Sequence, residues 1–126
     1  MDTIESTVAR YTLRDDGIVV TRAINPEVPR TRETAAATLD VLAEFIGEER
    51  KPMLWDQRAT PRLSPQVWVE VIQRVERLAV AVAFVTDEGT GHEQGSFQKA
   101  ISLLLIPTRT FSAEAPAIAW LQQFRD

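Results

Sequence analysis

Four residues able to do polar chemistry fall close together in the chain: Asp56, Arg58, Arg62 and Ser64. They follow a short apolar run, Met53-Leu54-Trp55, and precede an amphipathic stretch that opens with Ser64-Pro65. The order reads as strand, loop and helix start. In open α/β sheets, ligands and partners meet the protein just beyond the carboxyl ends of strands. An aspartate and two arginines there can form a polar pocket or pair with an anionic partner. The plainer account is a local ion pair at a solvated sheet edge, worth little energy. Asp56 directly follows Trp55 and is expected to be partly buried. Ser64 is fully explained as a helix N-cap. A phosphate on it would also be acceptable at a helix N-terminus, with Arg58 and Arg62 as candidate partners.

A second polar stretch, Gly89-Thr90-Gly91-His92-Glu93-Gln94-Gly95-Ser96, follows an apolar run and precedes a helical pattern. That is the context of a phosphate-cradling loop. The glycines are spaced one residue more widely than the dinucleotide fingerprint, and no Walker lysine is present. A loop whose glycines permit positive φ is the simpler reading. His92 is the sole histidine, and one histidine does not make a zinc site. Asp87, Glu88 and Glu93 match no calcium-loop spacing. A Ser–His–Asp triad can be assembled from Ser64 or Ser96, His92, and Asp56 or Asp87, but no nucleophile-elbow motif supports it. No catalytic residue, metal site or cofactor is assigned on these grounds.

The elements that must position these residues follow from patterning. Tyr11 and Leu13 precede Asp15-Asp16-Gly17, and Ile18, Val20 and Ile24 follow it, so residues 6–14 and 18–24 are predicted as a hairpin. A helix begins near Thr31, capped by Thr31 or Thr34. Its apolar face is Ala35, Leu39, Leu42, Phe45 and Ile46, and Gly47 ends it. Residues 53–56 form a strand. Pro65 favours the first helical position after Ser64, and Val67/Trp68, Val71/Ile72 and Val75 make that helix's stripe. The run from Leu78 to Val85 suits a parallel strand covered on both faces. Phe97, Ala100/Ile101 and Leu104 suggest a third helix, extending through Ile101–Ile106 to Pro107. Residues 108–111 read as a short strand. Ser112 is expected to cap a last helix through Ile118, Leu121 and Phe124, with Pro116 in its first turn.

Composition sets limits. The chain has 126 residues, 44% hydrophobic and 25% charged, which suits one domain over residues 1–126 with its own core. There is no cysteine, so disulfides, thiolate metal sites and a cysteine nucleophile are excluded. That usage fits a reducing, cytoplasmic setting. The net charge of −4 argues against nucleic acid as a partner. The acidic, polar start does not read as a secretory signal, and no apolar run approaches a membrane span.

Several segments together carry a family likeness: YTLRDDGIVVTRAI, ETAAATLDVLAEFIG, KPMLWDQR, LSPQVWVEVI, AVAVAFV and PTRTFSAEAPAIAWL. With these, nearly the whole chain resembles the STAS-like domains, the fold of anti-sigma-factor antagonists, in their branch of small bacterial STAS- or CRAL-TRIO-like proteins. The elements read along the chain follow the order β-β-α-β-α-β-α-β-α, which together with this resemblance predicts a mixed, mostly parallel sheet of about five strands with four helices. In antagonist members a serine at the start of the second helix is phosphorylated by a partner anti-sigma kinase, within Asp-Ser-Ser/Thr-Gly. The corresponding stretch here is Arg62-Leu63-Ser64-Pro65, which puts Ser64 near that serine.

The expectation is therefore a non-enzymatic regulatory or protein-interaction module with a protein partner. Its surface would include Ser64, Asp56, Arg58, Arg62, Gly91 and His92. The wide apolar arc of the second helix makes Trp68 and Val69 candidates for an interface, including a homodimer. The alternative is a carrier or sensor of a small apolar or lipid-like ligand held between helices and sheet. A small enzyme using Asp56 or His92 is the third reading.

Overall fold

The computed structural model describes residues 2–58, 63–86 and 101–124. Six strands form one sheet in sequence order: β1 (Asp2–Glu5), β2 (Ala9–Leu13), β3 (Val19–Ala23), β4 (Lys51–Asp56), β5 (Ala79–Val85) and β6 (Thr108–Phe111). β2 runs antiparallel to both β1 and β3, and β3 to β6 run parallel. Three α-helices lie among the described residues: α1 (Arg32–Ile46), α2 (Pro65–Leu78) and α3 (Glu114–Leu121), the last continuing as a 3-10 turn. The fold is α/β with a mixed sheet.

The hairpin forms where the sequence places it. Gly17 takes φ 86°, and the Gly17 amide donates to the Arg14 carbonyl at 3.0 Å. Glycine adopts this left-handed backbone without a Cβ penalty, which closes the three-residue turn. Thr31 and Thr34 do not compete to cap α1. Each side chain accepts from the other's backbone N–H, a reciprocal capping box. Pro52 tolerates a central strand because it sits at a register shift between Lys51 and Pro52.

Strand parity splits the core into two faces. Tyr11, Val19, Met53, Val82 and Phe84 point toward α1 and α2. Ile18, Val20, Leu54, Ala81, Ala83 and Val85 point toward Ala117, Ile118 and Leu121 of α3. Strands advancing one by one with right-handed crossovers put successive helices on one face. Among the described residues, the other face is covered by α3, after β6. The buried Tyr11 hydroxyl donates to the Thr38 carbonyl at 2.9 Å, tying the sheet to α1.

Several expectations are corrected. Six strands lie among the described residues instead of about five, because β1 pairs on the outer edge of β2. Residues 6–8 are a turn, not strand, with the Ser6 amide bonded to the Ala9 carbonyl at 2.8 Å. Leu78 ends α2 and does not open β5. Residues 102–106 are not helical. Pro107 disfavours helical backbone just before it, and the Leu105 amide is taken by the Glu76 carboxylate at 2.7 Å. The remainder of the expected third helix lies outside the described residues. The N-cap of α3 is Ala113, not Ser112, and makes no side-chain cap bond. No helix among the described residues is long and apolar enough to cross a membrane.

Candidate functional site

Two arrangements lie at the carboxyl ends of β3 and β4, on opposite faces of the sheet. On the α3 face, alternation directs Arg22 of β3 and Asp56 of β4 to the same side, and the two are register partners. Asp56 Oδ2 accepts from Arg22 Nη1 and from Arg58 Nη2, both at 2.9 Å. Asp56 Oδ1 accepts from the Arg58 backbone N–H and Nε, both at 3.0 Å. Arg22 Nη2 reaches Glu114 Oε1 at 2.7 Å. Glu114 opens α3, where a carboxylate also suits the helix dipole.

Two cations and two carboxylates balance in this cluster. It is larger than the local pair expected from Asp56 and Arg58, because Arg22 and Glu114 join it from two other elements. Burial pushes the Asp56 carboxyl upward. The hydrogen bonds from Arg58 and the charges of Arg58 and Arg22 outweigh that, and the group titrates below its ordinary value. A carboxylate held ionised by two arginines is suited to fastening elements and poorly suited to general-base work.

On the other face, a pocket of about 60 Å³ opens between the N-terminal halves of α1 and α2. Ala35, Thr38 and Leu39 line it from α1, and Leu63, Val67 and Val71 from the start of α2. The sheet supplies Ala9, Thr21, Ala23 and Trp55, while Val8 and Arg30 close the loop side. Doubly wound sheets form a crevice where strand order reverses. Here the order never reverses, and the recess lies under two helices instead.

Its polar groups are few. Arg30 donates to the carbonyls of Asn25 and Val28 through Nη1 and of Ile24 and Val8 through Nη2. That fixes the β3–α1 connection, including Asn25 at φ 51°. The Thr38 hydroxyl meets Ser6 Oγ at 3.2 Å. Thr21 differs: its hydroxyl oxygen is buried and has no hydrogen-bond partner among the described residues. Gln57, just past the end of β4, likewise buries Nε2 without a partner among the described residues.

The expected site residues separate. Ser64 is exposed, and its side chain accepts from the Val67 amide at 3.3 Å as the α2 cap. Asp56 and Arg58 belong to the ion cluster on the opposite face from the pocket. Trp68, expected at an interface, is a core residue at 6% exposure, whereas Val69 is 42% exposed. Successive residues of a helix point about 100° apart, which puts the two on different sides. The rest of the apolar arc, Val67, Val71, Ile72 and Val75, is buried within the chain itself. Arg62, Gly91 and His92 lie outside the described residues, as do Asp87, Glu88, Glu93 and Ser96.

Sequence reading missed Thr21, Arg22, Arg30 and Glu114. Alternation in β3 assigns Thr21 and Arg22 to opposite faces, a signal available in VVTRA. Which face would be buried was not available there.

The model of one protein family, described as a domain of unknown function, DUF7793, matches residues 11–125, and the chain belongs to that family. No curated protein and no solved structure matches it.

Proposed function

We propose that this DUF7793 chain is a non-enzymatic regulatory module that binds a protein partner at the carboxyl end of its sheet. The observation that carries the reading is the exposed start of α2 beside an apolar recess. Ser64, Pro65 and Gln66 are exposed, and Val69 adds an exposed large apolar side chain one turn on. Pro65 and Val69 lie four residues apart and so share a helix face. The resemblance to STAS-like domains, whose antagonist members are switched at the same helix start, supports the same end of the molecule. Asp56, the strongest acid–base candidate in the described part, is fully engaged by arginines, which favours binding over catalysis.

The alternative, a carrier or sensor of a small apolar or lipid-like ligand, fares worse. A pocket of about 60 Å³ falls well short of the roughly 300–1,000 Å³ typical of ligand sites.

The test is affinity capture with the wild-type chain, Ser64→Asp and Val69→Lys. Both variants change exposed positions and leave the core intact. One captured protein lost from both variants, with their circular dichroism unchanged, is the expected result. A capture profile identical across the three proteins would overturn the proposal.

A further inference from the structure

We infer that β1 is an interface between two copies of this chain, whose β1 strands pair antiparallel about a two-fold axis at Ile4 and continue the sheet from one protomer into the other. This surface is distinct from the partner surface at α2, which joins β4 to β5, strands separated from β1 by β2 and β3.

The open side of β1 follows from its pairing. Among the described residues β1 pairs only with β2, in the register Thr3↔Thr12, Ile4↔Tyr11 and Glu5↔Arg10. The Ser6 amide donates to the Ala9 carbonyl at 2.8 Å, and hydrogen-bonded pairs alternate with non-bonded ones along an antiparallel ladder. Ile4 and Tyr11 are therefore a bonded pair, while Thr3 and Glu5 turn their backbone N–H and C=O groups away from β2. The Thr3 and Thr12 hydroxyls lie 3.3 Å apart, as the closer approach of a non-bonded pair allows. An open row of this kind is a template for another strand. β1 carries no lysine, proline or register shift that would block one.

Register selects a second copy as the occupant. Placing Ile4 opposite Ile4 of the copy sets Thr3 opposite Glu5, so each outward residue exchanges both of its backbone bonds. The Ile4 side chains, 40% exposed in one chain, then form a non-bonded pair, where side chains approach most closely. No like charges stand directly opposite, and Glu5 is already paired with Arg10 at 2.6 Å. Centring the pair on Thr3 would set Ile4 against Asp2, and centring it on Glu5 would oppose two carboxylates.

The other edge does not offer this. The Val82 and Thr86 amides donate to the Pro107 and Phe111 carbonyls, so alternation turns Thr108 and Thr110 outward from β6. Pairing β6 with itself through them opposes Arg109 to Arg109, and like charges directly opposite are destabilising. Joining β6 to β1 of another copy sets Arg109 against Ile4 and repeats without closing. One short strand pair buries less than the roughly 1,200 Å² of a stable interface, so the dimer is weak and reversible.

The experiment is sedimentation equilibrium of the full chain from about 10 μM to about 1 mM. The wild type should pass from monomer toward dimer mass across that range, and the Thr3 and Glu5 amides should exchange more slowly as concentration rises. Ile4→Lys sets two cations across the axis. Thr3→Pro deletes an outward N–H that β2 does not use, a position where an edge strand tolerates proline. Each should weaken dimerisation at least about tenfold with circular dichroism unchanged. Val69→Lys should dimerise like the wild type while losing the captured partner, which separates this interface from the surface at α2. A wild type still monomeric at the highest concentration, Thr3 and Glu5 exchange independent of concentration, or a β1 variant that folds and dimerises like the wild type would each overturn the inference.

Discussion

Ser64 and Thr21 represent two kinds of polar residue at the same end of the molecule. Ser64 is exposed and serves the backbone of its own helix. Replacing it with alanine removes the cap and should cost about 1 kcal/mol. Aspartate caps as well as serine, so Ser64→Asp should unfold at nearly the wild-type denaturant midpoint. That separation makes the charged variant a fair test of partner binding, because loss of binding would not reflect loss of fold. Thr21 is the reverse case. Its hydroxyl is buried and has no partner among the described residues. Thr21→Val should therefore stabilise the protein by about 1 kcal/mol, read as a raised urea midpoint at unchanged slope. A lowered midpoint would show that the hydroxyl contributes to folding. The Ser64 cap was legible in sequence because Ser-Pro at a helix start is a local signal. The role of Thr21 was not, because its burial depends on α1 and α2 packing over β3.

At the scale of elements, the Asp56 cluster joins β3, β4 and the start of α3. Its bonds span 34 residues between Arg22 and Asp56 and 92 between Arg22 and Glu114. Sequence reading found Asp56 and Arg58, two residues apart, and missed the two distant members for that reason. The Asp56 carboxyl titrates below its ordinary value in the folded chain. Its contribution to stability is therefore complete above the unfolded carboxylate range, near pH 4, and is lost as pH falls through the lower folded value. Asp16, held low against burial by Arg14, Gln122 and the Ile18 amide, acts in the same direction. Asp56→Asn should destabilise the protein at pH 7 by about 1–3 kcal/mol. The difference from wild type should shrink on acidification below pH 4, as seen in urea melts across that range. A difference independent of pH would mean that packing, not charge, sets the role of Asp56.

For the whole molecule, the sheet in sequence order decides which regions are protected. β3, β4 and β5 have neighbours on both sides, while β1 is an exposed edge whose four residues are all solvent-accessible. The family match also begins inside β2, at residue 11, beyond β1. In dilute solution, hydrogen exchange should find the amides of β4 and β5 the slowest and those of β1 near the fast limit, since edges open without global unfolding. Strong protection in β1 at that dilution would contradict this and point to a further strand pairing on that edge. The one-directional order also puts α1 and α2 side by side on one face, with α3 on the other. That layout forms the recess and separates it from the ion cluster by the thickness of the sheet.

The sequence by itself determined the local features. These are the Asp-Gly hairpin, the helices opened by Thr31 and Ser64, the doubly covered strand from Ala79 to Val85 and the α/β alternation. Each rests on periodicity or capping within a few residues, where neighbours in the chain are also neighbours in space. Only the tertiary structure decided that Trp68 is core and Val69 is surface, and that Asp56 serves Arg22 and Glu114. It also decided that the Thr21 hydroxyl is buried with no hydrogen-bond partner among the described residues. Those outcomes depend on which helix covers which face of the sheet, a choice made by contacts between segments tens of residues apart.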